Sequence, residues 1–257
     1  LLIMEHTIKE EAHMILFLTS NVGGVKKENG KKYPVRFFEK NKFLNNLKKN
    51  LTETKKFLLI ASNPVDYEKN DLFLKMDIKA LELSGLHFDE YVVLDGRNSN
   101  KVKSVLNGTN LIFLCGGNTL TQNNFLNRIN LKKYFKKIDS VVVGISAGSI
   151  NSAKNVFNSP ESDNDLNNSP YLQGLELTNI NIEPHFSVND LNDDSKKIQM
   201  NAILSESNNR LLYGLTDGSY IIHNSSKCTL YGESYKIQNG NIIKICEDDN
   251  FIDINDI

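Results

Sequence analysis

The sequence predicts an α/β protein with a mostly parallel sheet and helices on both faces. Two observations lead to this prediction. Short, continuously apolar segments that end in small or polar residues recur along the chain, and they are typical of buried parallel strands. Segments with apolar residues at helical spacing separate them, so that strand and helix alternate. In such a sheet, binding and catalytic residues gather at the carboxyl ends of the strands.

The elements follow in order along the chain. The first predicted strand covers residues 14–20, and a loop with Gly23 and Gly24 leads from it to a helix at residues 37–50. A second predicted helix, residues 71–84, has Asp71 as its cap and Gly85 as its stop signal. The remaining predicted strands of this part are residues 57–62, 91–95, 111–116 and 141–143, and the remaining helices are residues 100–106, 120–137 and 149–154.

The last third of the chain changes character. Short strand patterns follow one another with a single helical segment among them, which predicts a C-terminal antiparallel extension of the same domain. The strands are expected at residues 179–183, 211–215, 219–223, 228–231, 234–238 and 242–246, and the helix at residues 195–205. We therefore expect one domain at residues 13–257, preceded by a disordered or vector-derived extension at residues 1–12.

Composition narrows the function classes. The 30 Lys+Arg residues balance 31 Asp+Glu residues, and a net charge of -1 shows no electrostatic footprint for nucleic acid. No apolar run approaches the ~20 residues that span a bilayer, so we expect a cytoplasmic protein without a membrane partner. Cys115, Cys228 and Cys246 lie in predicted strands, which suits reduced, buried thiols. None of these cysteines has metal-ligand spacing, and no cofactor is expected.

The turn after the strand at residues 141–143 carries the strongest functional signal. Residues 144–148 read Gly-Ile-Ser-Ala-Gly, the pattern of a nucleophile elbow. A buried strand that reverses sharply into a helix leaves room only for small residues, and it holds the central Ser146 in a strained conformation above the sheet. The N–H groups of Ala147 and Gly148 open the helix and can point at an oxyanion.

Two other segments also lie at predicted strand ends. Gly116 to Thr119, with the sequence GGNT, predicts either a tight strand-to-helix turn or a loop where the backbone approaches a ligand closely. His185 follows a predicted strand in the sequence EPHF. A lone histidine is most often structural, but this one lies where the fold collects functional groups, and it is the best candidate for a general base.

The motifs GGNT, GISAGS, PHF and GLTDGS, in this order, resemble the peptidase E (aspartyl dipeptidase) and cyanophycinase family of serine peptidases. The resemblance covers residues 14 to about 245. It implies a fold like that of class I glutamine amidotransferases, a flavodoxin-like three-layer sandwich. It also implies a triad of Ser146, His185 and Asp217, where Asp217 stands in the position of the family's Gly-x-x-Glu-Gly glutamate. The implied oxyanion hole is Ala147 and Gly117, and the implied substrate-binding residues are Gly116, Asn118 and Thr119.

The function expected from this resemblance is hydrolysis of short peptides, with aspartyl dipeptides as the family substrate. The segment after His185 reads SVNDLNDDSKK, where family members often carry arginines that suit acidic substrates. A substrate carboxylate would need a cation, and the candidates are Lys154, Lys196, Lys197, Arg97 and Arg210. A small peptide is the expected partner, and a homodimer is left open.

Three alternatives stay open at this stage. The acidic segment Glu161 to Asp165 rivals Asp217 as the source of the third triad member, although its composition also suits a surface loop or lid. The same elbow could serve an esterase, although the chain order Ser, His, acid differs from the order Ser, acid, His of α/β-hydrolases. A non-catalytic binding protein could also share the fold.

Overall fold

The computed structural model describes residues 14–224 and 227–254, so the extension expected at residues 1–12 lies outside the described residues. In chain order the strands are β1 (Ile15–Thr19), β2 (Gly23–Glu28), β3 (Lys31–Phe37), β4 (Lys56–Ile60), β5 (Glu90–Leu94), β6 (Leu111–Leu114), β7 (Val141–Ile145), β8 (Asn155–Phe157), β9 (Tyr171–Gln173), β10 (Asn181–Pro184), β11 (Leu212–Leu215), β12 (Tyr220–His223), β13 (Cys228–Tyr231), β14 (Ser234–Gln238), β15 (Asn241–Cys246) and β16 (Phe251–Asp253). The helices are α1 (Phe43–Asn50), α2 (Tyr67–Leu83), α3 (Val102–Leu106), α4 (Thr119–Arg128), α5 (Leu131–Phe135), α6 (Ala147–Ile150) and α7 (Lys197–Glu206).

The central sheet has eight strands in the order β16-β13-β12-β1-β7-β6-β4-β5. Strands β1, β7, β6, β4 and β5 are parallel to one another. On the other side of β1, strands β12, β13 and β16 extend the sheet with antiparallel pairing. The predicted fold class, a mostly parallel sheet with antiparallel C-terminal strands, is confirmed.

Helices cover both faces of this sheet because neighbouring side chains of each strand point to opposite faces. In β1, Leu16 and Leu18 pack in a core that includes residues of α3, α4 and α5. Phe17, between them, packs in a second core with residues of α1 and α2. Strands β4, β6 and β7 alternate in the same way, which is why their sequences are continuously apolar.

Four C-terminal strands form a separate sheet in the order β10-β11-β14-β15. Its β10/β11 pair is parallel, which corrects the prediction of a purely antiparallel extension. The reason is the connection: α7 lies between the two strands in the chain, and such a crossover returns the chain to the end from which β10 started. The carboxyl ends of β10 and β11 therefore meet at one edge.

The segment between β1 and α1 differs from its prediction. Residues expected as a loop form the β2/β3 hairpin, and the helix expected from residue 37 begins at Phe43. Most side chains of this hairpin are polar and exposed, so it lacks the apolar pattern that marks a buried strand.

The helices lie where the sequence predicts them, but several begin or end at other residues than predicted. Helix α2 has Asp66 at its N-cap, and Asp71 is not the cap because it lies inside the helix and pairs with Arg97 at 2.6 Å. Gly85 follows the end of α2 with φ 73°, as the stop signal requires. Residues 120–137 form two helices, since Asn130 takes a left-handed conformation between them. No helix among residues 14–224 and 227–254 is long and apolar enough to cross a membrane.

Gly148 tests the packing of α6 on the sheet. A Cβ atom added there would lie 2.2 Å from the carbonyl oxygen of Leu114 in β6, and a backbone atom cannot move aside cheaply. We expect Gly148→Ala to lower the free energy of unfolding by about 1–3 kcal/mol or more in urea titrations. Gly116→Ala is the control, because its Cβ would have its nearest neighbour at 3.4 Å. Equal stability of the two variants would contradict this packing.

Candidate active site

Ser146 lies at the junction of β7 and α6 in a strained backbone conformation, φ 51° and ψ -109°. Such a conformation costs a non-glycine residue roughly 1–3 kcal/mol, so the surroundings must hold it in place. The Ser146 N–H donates to the Thr19 carbonyl at 3.0 Å. Ser149 fixes α6 to β1, since its hydroxyl accepts from the Thr19 N–H and donates to the Thr19 carbonyl, both at 2.8 Å. A Cβ atom at Gly144 would lie 2.7 Å from Ser149, so the turn admits only glycine there.

His185 and Asp217 come to Ser146 from the second sheet. His185 follows β10 with φ 57°, and Asp217 comes two residues after β11, so both lie at the edge where these parallel strands end. His185 Nε2 lies 3.1 Å from Ser146 Oγ, and its Nδ1 lies 2.6 Å from Asp217 Oδ1. The structure thus brings together the serine, histidine and acid named from the sequence, in the geometry of a nucleophile, a base and a group that orients the base.

Ser20, at the carboxyl end of β1, links the histidine and the acid. Its hydroxyl donates to Asp217 Oδ1 at 2.8 Å and accepts from the His185 backbone N–H at 2.7 Å. Asn21 Nδ2 donates to Asp217 Oδ2 at 3.3 Å. Sequence reasoning missed both residues, although a polar residue that ends a buried strand was the signal that could have found them.

The Asp217 carboxylate is ionised at neutral pH. Its hydrogen bond with His185 lowers its pKa most, partial burial opposes this effect, and the hydrogen bonds from Ser20 and Asn21 lower the pKa further, to about 2. The side chains of His185 and Asp217 are each 51% exposed, so solvent reaches this pair.

The loop from Gly116 to Thr119 passes beside the serine. A Cβ atom at Gly116 would lie 3.5 Å from Ser146 Cβ. Gly117 has φ 145°, and a Cβ there would lie 2.4 Å from Ser62 Oγ, so the position requires glycine. The Asn118 side chain accepts from the Thr121 N–H and caps α4, whereas Gly117 and Thr119 line the cavity next to Ser146.

Buried amides support this loop from below. Asn151 Nδ2 donates to the Thr119 carbonyl at 3.0 Å and to Gln122 Oε1 at 3.1 Å. Gln122 Nε2 in turn donates to the Cys115 carbonyl at 2.8 Å. These bonds hold both ends of the GGNT segment. No pattern in the sequence distinguishes such amides from ordinary polar helix residues.

The rival acidic segment, Glu161 to Asp165, makes hydrogen bonds within its own loop. Asp165 accepts hydrogen bonds from the N–H groups of Glu161 and Ser162 within its own loop. The carboxylate that contacts His185 Nδ1 is that of Asp217. Glu161 lines the cavity next to Ser146, in the connection between β8 and β9.

A cavity of about 290 Å³ opens beside Ser146 and His185. Its walls come from the GGNT loop, the β8–β9 connection, the end of β10, and α7 with the residues before it. The lining residues are Gly117, Thr119, Ser146, Ile150, Asn158, Ser159, Glu161, Glu183, Pro184, His185, Phe186, Asp190, Lys196, Gln199, Met200 and Ile203. In residues 14–224 and 227–254, no three His, Cys, Asp or Glu side chains are grouped so that they could hold a metal ion.

Glu183 is the buried acid of this cavity, with only 2% of its surface exposed. Its Oε2 accepts from Ser159 Oγ at 2.9 Å, while Oε1 has no hydrogen-bond partner among the described residues. Burial raises the pKa of Glu183 to about 8, and the Ser159 hydrogen bond offsets only part of this rise. Sequence reasoning missed Glu183. An acid in an apolar strand, two residues before the candidate base, was the available signal.

Of the five cations named from the sequence, Lys196 lines the cavity. Arg97 pairs with Asp71 and Asp95, Arg210 with Glu206, and Lys154 with Glu176. Lys197 is the first residue of α7 and does not line the cavity.

Comparison with known proteins identifies the family. Residues 30–231 match Peptidase family S51, so the chain belongs to this family, and its class is that of a serine-type peptidase. This range contains Ser146, His185 and Asp217. No curated protein sequence matches the chain significantly.

Two solved structures share the fold. The first is a peptidase from an acI-B1 Actinobacterium, with a TM-score of 0.67 and 13% identity over 95% of this chain and 99% of that chain. The second is described as a "Putative Peptidase E Protein" from Listeria monocytogenes EGD-e, with a TM-score of 0.59 and 20% identity over 91% of this chain and 100% of that chain. The resemblance to the peptidase E family is confirmed.

The burial of Glu183 should make the free energy of unfolding depend on pH. Its folded-state pKa of about 8 is above that of an exposed glutamate, so between about pH 4.5 and pH 8 the folded state keeps a proton that the unfolded state releases. The free energy of unfolding should therefore fall as pH rises through this window. Glu183→Gln lacks the ionisable group, so its free energy of unfolding should not fall in this way. Between pH 5 and pH 9 the difference in the free energy of unfolding between variant and wild type should shift by roughly 2–4 kcal/mol in favour of the variant.

Urea titrations at both pH values measure this difference. Glu206→Gln is the matched control, because Glu206 is similarly buried but pairs with Arg210 outside the cavity. A wild-type and Glu183→Gln difference that is independent of pH would show that Glu183 is not protonated in the folded protein.

Proposed function

We propose that this protein hydrolyses short peptides through Ser146, His185 and Asp217 and forms an acyl-enzyme on Ser146. The observation that supports this proposal is the continuous series of contacts from Ser146 Oγ to His185 Nε2 and from His185 Nδ1 to Asp217 Oδ1. Membership of Peptidase family S51 supports the reaction class.

In the first half of the reaction, Ser146 Oγ attacks the carbonyl carbon of the peptide bond. The hydroxyl proton passes to His185 Nε2 as the C–O bond forms. His185 then gives this proton to the amine nitrogen, the C–N bond breaks, and the amine leaves. Asp217 stays ionised throughout, accepts the Nδ1–H hydrogen bond and stabilises the imidazolium.

In the second half, a water molecule replaces the amine. It attacks the ester carbon while its proton passes to His185 Nε2, and the bond to Ser146 Oγ breaks as the serine takes the proton back. The acid product leaves, and the triad returns to its starting protonation state. The two halves together consume one peptide bond and one water molecule and yield an acid and an amine, with no change of oxidation state.

The negative charge on the carbonyl oxygen needs hydrogen-bond donors in both halves. The backbone N–H groups of Gly117 and Ala147 are the proposed donors. Ala147 is the first residue of α6, so its N–H has no acceptor within the helix. Loss of one such donor typically slows a reaction by about 10²-fold to 10³-fold. Gly116, Asn118 and Thr119 are proposed to bind the substrate backbone along the same loop.

The size of the cavity favours short peptides. At about 290 Å³ it is at the small end of the range of about 300–1,000 Å³ for small-molecule sites. An aspartyl substrate would place its carboxylate near Lys196, with the acids Glu161 and Asp190 around the same cavity. This surrounding charge opposes the aspartyl preference expected from the family.

Replacing the nucleophile gives the most direct test. Ser146→Ala removes the attacking oxygen and should lower peptide hydrolysis by roughly 10³-fold or more without unfolding the protein. A serine-directed fluorophosphonate should label the wild type at Ser146 and should not label the variant. Labelling of Ser149 or Ser152, or equal labelling of both proteins, would contradict the assignment. Turnover of acyl esters without turnover of peptides would indicate an esterase.

The third triad member has its own test. Asp217→Asn keeps the side-chain shape but removes the charge that orients His185, so kcat should fall by about 10³-fold to 10⁴-fold. Asp163→Asn, in the rival acidic loop, should leave kcat within a few-fold of the wild type. A harmless Asp217→Asn together with a damaging change at Asp163 or Glu161 would assign the role to the loop. Adding His185→Ala to Ser146→Ala should cost little more, because the three groups act as one unit.

A further inference from the structure

Glu183 gives the cavity beside Ser146 a buried acid that the proposed reaction does not use. It lies two residues before His185 on β10, and both residues line the cavity. A carboxyl group at 2% exposure is costly to bury unless its oxygens find partners. Oε1 has no such partner among the described residues. A bound group that donates to this oxygen would remove the deficit.

The carboxyl group of Glu183 is held in a defined orientation. Gln199 Nε2 donates to Ser159 Oγ at 3.3 Å, and Ser159 Oγ donates to Glu183 Oε2 at 2.9 Å. All three residues line the cavity. This short chain of donors occupies Oε2 and leaves Oε1 as the unpartnered acceptor. A site that is oriented before binding loses less entropy when the ligand arrives.

The charges around the cavity indicate the sign of the ligand. Glu161, Glu183 and Asp190 are acids, and Lys196 is the single basic lysine or arginine that lines the cavity within the described residues. Glu183 is buried, whereas Lys196 is partly exposed to solvent. Once ionised, Glu183 attracts a cation more strongly than Lys196 attracts an anion, because water and salt screen the buried position less.

We propose that Glu183 binds a positively charged nitrogen of the peptide, supplied either by a lysine or arginine side chain or by the free α-ammonium group. The inference rests on the proposed function, because it assigns the substrate class of that same site. In this proposal Glu183 is a specificity-determining residue, and the preferred substrate is a cationic peptide instead of the aspartyl peptide expected from the family.

Binding of a cation changes the protonation of Glu183. The burial that raises its pKa in the empty cavity favours the neutral acid at pH 7, while a nearby cation favours the carboxylate. Cationic peptides should therefore release close to one proton on binding at pH 7. The other titratable side chains that line the cavity are those of Glu161, Asp190, Lys196 and His185, and a comparison of wild type with a Glu183 variant keeps all of them constant.

Equilibrium binding to the inactive Ser146→Ala protein tests this proposal without turnover. Calorimetry would compare Lys-Ala, Ala-Lys, Ala-Ala, acetyl-Ala-Ala and Asp-Ala, each with and without Glu183→Gln. We expect Glu183→Gln to weaken the binding of the cationic peptides by roughly 30-fold or more, as for loss of a buried charge partner. We also expect the proton release, seen as a dependence of the binding enthalpy on the buffer, to disappear in the variant.

The peptides separate the two sources of positive charge. If Ala-Ala binds as tightly as Lys-Ala and acetyl-Ala-Ala binds weakly, the α-ammonium group is the ligand. If Lys-Ala or Ala-Lys binds much more tightly than Ala-Ala, a side chain is the ligand. Glu206→Gln in the same background is the control, since Glu206 is buried outside the cavity, and it should change none of these affinities.

Three results would overturn the proposal. They are equal affinities with and without Glu183→Gln, no proton release on binding, and a preference for Asp-Ala that survives in Glu183→Gln. The last would mean that the cavity binds a carboxylate without help from the Glu183 carboxyl group. If Glu183→Gln fails to fold, Ser159→Ala provides a second test, because it removes the hydrogen bond that orients the Glu183 carboxyl group and should weaken the binding of cationic peptides several-fold. Fluorophosphonate labelling of Ser146 in the wild type tests the proposed function separately. If Ser146 is not labelled but peptide binding still depends on Glu183, the proposed reaction is wrong and the proposed binding role of Glu183 stands.

Discussion

The hydrogen bond between His185 and Asp217 depends on one feature of the fold, the parallel pairing of β10 with β11. Parallel strands end at the same edge of a sheet. His185, directly after β10, and Asp217, two residues after β11, therefore lie close together, with 2.6 Å between His185 Nδ1 and Asp217 Oδ1. Ser20 joins this edge to the central sheet, because its hydroxyl bonds to both partners. The site therefore lies where the two sheets meet.

The carboxyl groups of Asp217 and Glu183 have opposite environments. Asp217 is half exposed and accepts three hydrogen bonds, so its pKa is lowered to about 2 and it is ionised. Glu183 is buried with one oxygen unpartnered, so its pKa is raised to about 8. Environments that move two acids apart in pKa commonly separate their roles. We propose that the separation here is between Asp217, which orients the base, and Glu183, which selects the ligand.

The sequence predicted the parts of this site that depend on local rules. The elbow at Ser146 was predictable because the Gly-x-Ser-x-Gly turn follows a continuously apolar strand, and His185 because it ends a strand. The β2/β3 hairpin was not predictable, since its exposed polar residues have no strand pattern. The polar end of β1 could have marked Ser20 as a candidate, but its partners and those of Asn151 were not predictable, because they lie more than 25 residues away in the chain. The parallel β10/β11 pair was missed because strand direction depends on the crossover through α7.

The most direct test of this account is the tautomer of His185. Proton-detected nitrogen spectra of the wild type, at a pH where the imidazole is neutral, should show the proton on Nδ1, bonded to Asp217, with Nε2 unprotonated and facing Ser146. Asp217→Asn should change this tautomer, and Asp163→Asn should leave it unchanged. A neutral His185 with its proton on Nε2, or a tautomer unaffected by Asp217→Asn, would contradict the claim that this hydrogen bond prepares the base.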